Sequence, residues 1–380
     1  MSQILSNARI VLADRTITGS VTVDNGMIAA VSEGADMASD ALDFGGDYLL
    51  PGIIDLHTDN LEHHMQPRPA VRWPSSMAAA LAHDWQVLGA GVTTVLDSLS
   101  MGDYDSKGQR TAMLEAAIAA VGQAKAAGVL KSDHYLHFRY ELSDAGLLDL
   151  AKRHVDNPAV RLVSMMDHTP GQGQWHDLTI YRAFRKKKNG QVWTEPEWDL
   201  YIAERVASQA EHVGPARAWV SEAAKAHNIP MASHDDTTVE DVDRAHGYGI
   251  GISEFPTTMA AAKRAHELGM QNVMGAPNVV LGGSHSGNVS ALALADEGLL
   301  DILTSDYVPA SMLQAAFILA NRGLAMHDAV AMVSARPAAA LGFADRGRIE
   351  TGLRADLLRV RVVDGLPVID GIWVAGRKFM

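Results

Sequence analysis

The middle of the chain alternates between short apolar segments and longer helical patterns, and this alternation limits the possible folds more than any other feature. Eight segments have the apolar and β-branched character of strands: 52–57, 91–99, 134–142, 159–167, 229–234, 249–255, 271–276 and 300–306. Helical patterns follow at 75–89, 108–128, 143–155, 197–227, 238–247, 258–269, 287–299 and 309–321. Eight parallel strands that each precede a helix are typical of a (β/α)₈ barrel of the TIM type.

Both ends of the chain have a different character, because they are rich in strand-like runs separated by turns. Asn25-Gly26 lies between two such runs and is a strong hairpin signal. We therefore predict an α/β protein in which residues 1–50 and 343–380 pair in a small β-sandwich. Residues 51–342 are predicted to form the catalytic barrel.

The composition excludes several classes of site. The chain has no cysteine, so disulfides and thiolate metal sites are impossible, and a metal ion would need His, Asp, Glu or a modified Lys. The formal net charge of −13 argues against a broad nucleic-acid-binding surface. No apolar run approaches the roughly 18 residues of a membrane span, and residues 1–20 show no signal-peptide pattern. We expect a cytoplasmic protein without nucleic-acid or membrane partners.

The stretch after the first predicted strand concentrates side chains that bind metals. In "LLPGIIDLHTDNLEHHM", an apolar run ends in His57 and Asp59. Because residues i and i+2 of a strand point to the same side, both side chains can face one ion. The alternative is that they only end a strand and cap a helix. Active-site residues of (β/α)₈ barrels follow the strand C-termini, which favours the metal site.

Four further polar residues follow predicted strands and extend this candidate site. His168 and His234 are each compatible with a structural role, but with His57 they supply three imidazoles, enough for a metal site. Glu141 follows the third strand, where a carboxylate can bridge two ions or pair with a nearby arginine. Asp306 closes the eighth strand, where a carboxylate can bind an ion and accept the proton of an attacking water.

Candidates for substrate binding lie in the neighbouring loops. Arginines there suit phosphate groups, and "GGSHSGNVS" at 282–290 is a Gly/Ser loop that opens a helix, which suits an anion. The longest insertion, 169–196, is basic and contains glycine, and we predict that it is a lid over the barrel mouth. The candidate substrate-binding residues are His64, Arg68, Arg72, Arg139 and His285.

The whole chain resembles the amidohydrolase superfamily. The similarity comprises the N-terminal β segment, "LLPGIIDLH", the (β/α)₈ run, "SD" at the eighth strand and the returning "RIETGLRADLLRV". Long and specific motifs also resemble the PhnM family of the carbon–phosphorus lyase pathway: "LPGIIDLHTDNLEHHMQPRPAVRWP", "AHDWQVLGAGVTTVLDSLS", "MMDHTPGQGQ", "SHDDTT" and "ISEFPTT".

This resemblance implies a metal-dependent hydrolase that releases diphosphate from α-D-ribose 1-methylphosphonate 5-triphosphate, a small anionic phosphorylated sugar. It implies two divalent ions, with zinc as the expected metal and Asp306 as the catalytic residue. Manganese or iron is the alternative, because His-x-Asp replaces one imidazole of the usual His-x-His with a carboxylate. We also expect a homo-oligomer. The implied metal ligands are His57, Asp59, Glu141, His168, His234 and Asp306.

Several alternatives stay open at this point. His168 and His234 follow predicted strands four and five, whereas the superfamily usually uses five and six, so Glu254 after strand six is an alternative ligand. Glu254 and Asp97 are otherwise candidate partners of the metal ligands. One alternative function is an amidohydrolase that cleaves a C–N bond, such as an N-acyl amino acid deacylase or a cyclic amidase. Another is a non-catalytic subunit of a phosphonate-processing assembly, although an intact ligand set argues against it.

Overall fold

The chain forms two β-sheets and a series of helices, in a computed structural model that describes residues 2–34, 38–68, 71–102, 109–190, 192–284 and 287–380. The predicted substrate residue His285 lies outside the described residues. Five strands come first: β1 (Gln3–Val11), β2 (Thr16–Asp24), β3 (Met27–Glu33), β4 (Leu42–Asp43) and β5 (Tyr48–Pro51). Eight follow: β6 (Ile53–Thr58), β7 (Val92–Met101), β8 (Asp133–Glu141), β9 (Val160–Met166), β10 (Met231–His234), β11 (Ile252–Glu254), β12 (Gln271–Gly275) and β13 (Ile302–Thr304). The last are β14 (Leu357–Val363), β15 (Leu366–Val374) and β16 (Arg377–Lys378).

Helices separate most of the central strands. The first six are α1 (Asn60–Met65), α2 (Ser76–Gly89), α3 (Gln109–Ala126), α4 (Leu147–His154), α5 (Leu178–Asn189) and α6 (Glu195–Ala226). They are followed by α7 (Val239–Gly247), α8 (Met259–Glu267), α9 (Ala276–Leu281), α10 (Ala291–Asp296), α11 (Ser311–Asn321), α12 (Met326–Ala331) and α13 (Ala335–Ala340). Among the described residues, no helix combines the length and apolar character that crossing a membrane requires.

Strands β6 to β13 form one sheet in which neighbours in the chain are neighbours in space. This parallel order, with helices in the connections, confirms the predicted (β/α)₈ barrel. An isolated parallel bridge between Thr58 and Asp306 also joins the first strand to the segment after the last. The observed strands agree with the predicted ones within a few residues, because each is a buried apolar run bounded by turn or polar residues.

The second sheet is built from both ends of the chain, as predicted. Its strand order is β16-β15-β14-β5-β1-β2-β3, with β4 beside β1, so the C-terminal strand β14 pairs with the N-terminal strand β5. One face buries a core that includes Phe44, Leu49 and Trp373. The indole Nε1 of Trp373 donates a hydrogen bond to Gln3 Oε1 at 3.0 Å, so this core also connects the two ends of the chain.

Contacts between Cα atoms divide the chain into two compact units. The first unit comprises residues 1–97, 117–135 and 274–380, and the second comprises 98–116 and 136–273. The first contains the end sheet together with β6 and β13, and the second contains β9, β10 and β11. The division predicted from sequence, at 50/51 and 342/343, stays a prediction.

The predicted lid segment 169–196 is largely helical. It contains the 3₁₀ turn η1 (Gly173–Trp175) and α5, and α6 begins at Glu195. Aromatic rings hold these pieces together: the Trp175 and Phe184 ring centroids are 4.5 Å apart. A role of this segment as a lid stays a prediction.

The first unit buries a network of charged side chains that contains Asp97, one of the predicted partner residues. His134 Nδ1 lies 2.9 Å from Asp97 Oδ2, and His83 Nε2 lies 2.7 Å from Asp97 Oδ1. His134 Nε2 also lies 3.3 Å from Asp84 Oδ1. Burial lowers the pKa of His134, but the nearby charges of Asp97 and Asp84 outweigh burial and raise that pKa to about 9. His134 is therefore an imidazolium held between two carboxylates.

We predict that this imidazolium makes stability depend on pH. The folded pKa of His134, about 9, exceeds the ordinary value of 6.5, so its contribution is complete below pH 6.5 and is lost as the pH rises towards 9. The free energy of unfolding, measured with urea, should fall over this interval in the wild type. The fall should be shallower in His134→Gln. Equal slopes in both proteins would contradict a charged His134.

Candidate metal centre

Three predicted residues of the first unit converge at the ends of β6 and β13, and we call them the strand-one group: His57, Asp59 and Asp306. Each offers one ligand atom, and these atoms lie within 4.8 Å of one another. His57 Nε2 lies 3.6 Å from Asp59 Oδ1. His57 is fully buried, whereas the two carboxylates are partly exposed. The group is therefore anchored in the interior at His57 and accessible to solvent at its two carboxylates.

Backbone hydrogen bonds fix the geometry of the strand-one group. The N–H of Asp306 donates to His57 O at 3.0 Å, and the N–H of Asp59 donates to Asp306 O at 2.7 Å. Asp306 has a positive φ of 56°, which turns the chain sharply after β13. These two backbone hydrogen bonds hold Asp306, which follows the eighth barrel strand, beside His57 and Asp59 at the end of the first.

Asp55 supports this group from beneath. It precedes His57 by two residues on β6 and is fully buried. Its Oδ1 accepts hydrogen bonds from Thr304 Oγ1 at 2.6 Å and from the Ser305 N–H at 3.1 Å. Burial raises the pKa of Asp55, against the opposing effect of these donors. Asp55 therefore couples the end of β13 to β6 just before the two ligand candidates.

A second cluster, the strand-five group, lies in the second unit: His168, His234 and Asp235. The Nε2 atoms of His168 and His234 lie 3.8 and 3.6 Å from the same oxygen, Asp235 Oδ2. The two rings are nearly perpendicular, with centroids 5.7 Å apart. Gln174, in the predicted lid segment, donates a hydrogen bond to that Asp235 oxygen. Two imidazole nitrogens and a carboxylate therefore point at a common space.

Two glutamates orient the imidazoles of the strand-five group. Glu141 Oε2 lies 2.6 Å from His168 Nδ1, and Glu254 Oε2 lies 2.7 Å from His234 Nδ1. A carboxylate on Nδ1 holds a proton there and leaves the Nε2 lone pair for a metal ion. Glu141 Oε1 also accepts the His168 N–H at 3.1 Å and Ser143 Oγ at 2.9 Å.

The charges in the strand-five group are strongly coupled. Burial lowers the pKa of His168, but Glu141 and Asp235 outweigh burial and raise that pKa to about 9. Burial raises the pKa of Asp235, but His234, His168 and Arg139 hold it below its usual range. Without a metal ion His168 is thus protonated, and an ion bound at Nε2 would replace that proton.

The donor sets of both groups fit a divalent metal. The strand-one group offers one imidazole and two carboxylates, and the strand-five group offers two imidazoles and one carboxylate. Nitrogen and oxygen donors of this kind bind zinc, manganese and iron(II). The carboxylates behind His168 and His234 supply the outer contacts that ligating histidines require.

Of the other predicted residues, some contact the two ligand groups and others lie apart from them. Glu141 lies against His168 and belongs to neither group of three, so its direct binding of an ion stays a prediction. Arg139 Nη2 lies 3.4 Å from His234 Nε2. His64 is partly buried with Nε2 2.6 Å from Gln86 Oε1, whereas Arg68 and Arg72 are exposed. Asp97 lies in the network with His83 and His134.

Asp235 lies at a predicted strand end beside His234, but reasoning from sequence did not assign it as a metal ligand. It directly follows His234, and on a regular strand the two side chains would point to opposite sides. Its φ of 58° breaks that alternation and turns the carboxylate back towards the histidines. The motif "SHDDTT" contained the residue, but the left-handed turn is a property of the folded chain.

Comparison with known proteins identifies the family of the chain. The amidohydrolase family model matches residues 48–378. The chain is 42% identical over 378 residues, 99% of both chains, to the α-D-ribose 1-methylphosphonate 5-triphosphate diphosphatase of Escherichia coli K12.

Solved structures with low sequence identity share the fold. The N-acetylglucosamine-6-phosphate deacetylase of Pasteurella multocida superposes with a TM-score of 0.68 at 13% identity, with all of both chains covered. A molinate hydrolase structure gives a TM-score of 0.68 at 11% identity and covers all of this chain and 94% of the other. With the barrel, the ligand-type clusters and the full-length similarity together, the chain is a hydrolytic enzyme that belongs to the amidohydrolase family and, within it, to the PhnM family.

Proposed function

We propose that the protein hydrolyses α-D-ribose 1-methylphosphonate 5-triphosphate and releases diphosphate. The observation that carries the proposal is the 42% identity over 99% of both chains to the diphosphatase of that name. The matched region includes the residues of the strand-one and strand-five groups, since it covers nearly the whole chain. The N-acetylglucosamine-6-phosphate deacetylase and the molinate hydrolase share 13% and 11% identity with this chain, which supports a common fold alone.

Each group of three is proposed to hold one divalent ion. His57, Asp59 and Asp306 bind the first, and His168, His234 and Asp235 bind the second, with Glu141 and Glu254 as carboxylates that orient the two histidines. A divalent ion at such a site supplies Lewis acidity and lowers the pKa of water near it. Zinc suits the strand-five group, which has two imidazoles. Manganese or iron(II) suits the strand-one group as well as zinc does, because that group has two carboxylates.

Asp306 is proposed to be the general base. Its carboxylate is partly exposed, and its main chain is fixed by bonds to His57 and Asp59. The attacking water loses a proton to Asp306, and its oxygen forms a bond to a phosphorus of the triphosphate. The anhydride bond between the α- and β-phosphorus breaks, and the group on the side not attacked leaves with the electron pair: diphosphate after attack on the α-phosphorus, the sugar 5-phosphate after attack on the β-phosphorus. Attack on either the α- or the β-phosphorus gives the same products, and ¹⁸O-labelled water identifies the phosphorus attacked.

Arg139 is proposed to neutralise negative charge on the substrate. Its guanidinium lies 3.4 Å from His234 Nε2 and lowers the pKa of Asp235, so it is close to the ligand cluster. A planar guanidinium binds phosphate oxygens in pairs. His64 is a second candidate for contact with substrate, because it lies on the short helix α1 that follows Asp59.

The direct test is diphosphate release by the purified protein with and without a chelator. We expect release from the ribose triphosphate, its loss after chelation, and its recovery with a divalent metal. Activity on N-acyl amino acids or hydantoins, with none on ribose triphosphates, would instead support a C–N hydrolase. Full activity in the chelated, metal-free protein would refute metal dependence.

We predict that Asp306→Asn lowers kcat by at least about 10²-fold, the usual range for loss of a general base. Asp296→Asn is the matched control, because Asp296 is an exposed aspartate of the same unit that pairs with Arg322 at 3.0 Å. The control should keep wild-type rates. Metal content is measured in parallel, and near-full activity of Asp306→Asn with unchanged metal would show that another group is the base.

We predict that Glu254→Gln weakens metal binding by about 10- to 100-fold, the cost typical of a lost outer carboxylate. The amide keeps the shape of the side chain but removes the charge that supports the proton on His234 Nδ1. Titration against a chromogenic chelator measures the affinity. Glu222→Gln, at an exposed position of the same unit, should bind metal like the wild type. Equal affinities for the two variants would remove Glu254 from the site.

A further inference from the structure

A cavity in the second unit shares its wall with the strand-five group. Its lining includes His168, His234 and Asp235. Gln174, Arg217 and Arg244 line it as well. Cationic groups from α6 and α7 therefore border the same space as the proposed metal ligands.

Arg217 is the unusual member of this lining. It projects from α6 and is partly buried, yet it makes no hydrogen bond or ion pair with any other residue in the described ranges. Its guanidinium carbon lies 5.8 Å from the centroid of the Tyr248 ring, at the distance of a cation–π contact. A charge that loses part of its hydration without a partner is costly. Such a cost is relieved when an anion binds.

Four aspartates line the cavity, Asp167, Asp235, Asp236 and Asp241, and each accepts hydrogen bonds from other donors. Gln174 donates to Asp235, and Ser233 Oγ donates to Asp236. Asp167 accepts Thr169 Oγ1 at 2.6 Å and Gln209 Nε2 at 2.9 Å. Asp241 accepts the Thr238 N–H at 3.0 Å and also binds Arg244. Asp167 and Asp241 contribute attraction at a distance but leave the five N–H donors of Arg217 unused within the described residues.

Arg244 adds a second guanidinium to the same cavity. Burial lowers the pKa of Arg217, and the positive charge of Arg244 lowers it further, so the two cations lie close enough to repel each other. Arg244 forms an ion pair with Asp241, whereas Arg217 forms none within the described ranges. Two like charges beside a cavity are stabilised by an anion between them, and phosphate oxygens match the fork of an arginine.

We propose that Arg217, supported by Arg244, forms an anion subsite that binds the terminal phosphates of the triphosphate chain and the diphosphate product. The inference rests on the proposed function, because it assigns the polyphosphate part of that substrate to this cavity. It adds two arginines, from helices α6 and α7, to a site whose other proposed residues follow barrel strands. Neither arginine was among the residues predicted from sequence to bind substrate.

The test compares Arg217→Gln with the matched control Arg264→Gln. Arg264 is in the same unit, on α8, and donates to Asp243 at 2.7 Å and to Glu267 at 3.1 Å. For Arg217→Gln we expect KM for the triphosphate and the inhibition constant of diphosphate to rise by about tenfold or more, the usual effect of one charge-assisted hydrogen bond. The effect on kcat should be smaller, and metal content should be that of the wild type. The control should match the wild type in all four values.

Arg217→Lys keeps the charge and loses the planar fork, so its KM should lie between those of the wild type and Arg217→Gln. Because lysine preserves the long side chain, this variant also serves if the glutamine variant folds poorly. Unchanged KM and diphosphate inhibition in both variants would overturn the subsite.

Calorimetric titration with inorganic diphosphate separates this inference from the proposed function. If the wild type hydrolyses no sugar triphosphate, the proposed function fails. The subsite is then judged by binding alone: diphosphate should bind the wild-type metalloprotein and bind Arg217→Gln at least about tenfold more weakly. Absence of binding to the wild type, or equal binding to both proteins, would refute the anion subsite.

Discussion

The strand-one group depends on the main-chain connection between the first barrel strand and the segment after the last. Asp306 gives its N–H to His57 and receives the N–H of Asp59, at 3.0 and 2.7 Å. Asp55 adds bonds to Thr304 and Ser305 just before this point. The bonds of Asp55 are buried, and the low dielectric there strengthens them. The relative positions of the three ligand-type residues are therefore set by the backbone, and side-chain rotation only adjusts them.

Pairing between imidazole and carboxylate recurs in both units of this protein. In the second unit, Glu141 and Glu254 hold His168 and His234, and in the first unit, Asp84 and Asp97 hold His134. In each arrangement the removal of charged groups from water is unfavourable, and short hydrogen bonds between imidazole and carboxylate offset that desolvation free energy. The two cases differ in exposure: His134 is sealed in the core, whereas His168 and His234 keep a nitrogen directed at a cavity. The same chemical pair thus has a structural use in one place and a proposed ligand role in the other.

Much of this arrangement follows from local sequence patterns. The apolar runs and the helical patterns between them predicted the eight barrel strands, because burial on both faces demands continuous apolar residues. His57 and Asp59 were predictable from i, i+2 spacing, and Asp306 from its place after the eighth strand.

Strand register and backbone turns were not predictable. Glu254 reaches His234 because the two residues are opposite each other in the β10–β11 ladder, and sequence does not specify which residues of two parallel strands are paired. Asp235 joins the histidines only through its positive φ. Arg217 is far along the long helix α6, where no local pattern separates an arginine that lines a cavity from one on the surface.

The left-handed backbone at Asp235 and Asp306 restricts how these positions can evolve. Residues with a branched β-carbon are strained at a φ near +57°, whereas aspartate, asparagine and glycine tolerate it. Single mutations to asparagine or glycine therefore preserve the turn while they exchange the carboxylate for an amide or remove the side chain. Valine, isoleucine and threonine are thus the replacements that these two positions oppose most, because they would strain the turn that directs each carboxylate towards its histidines.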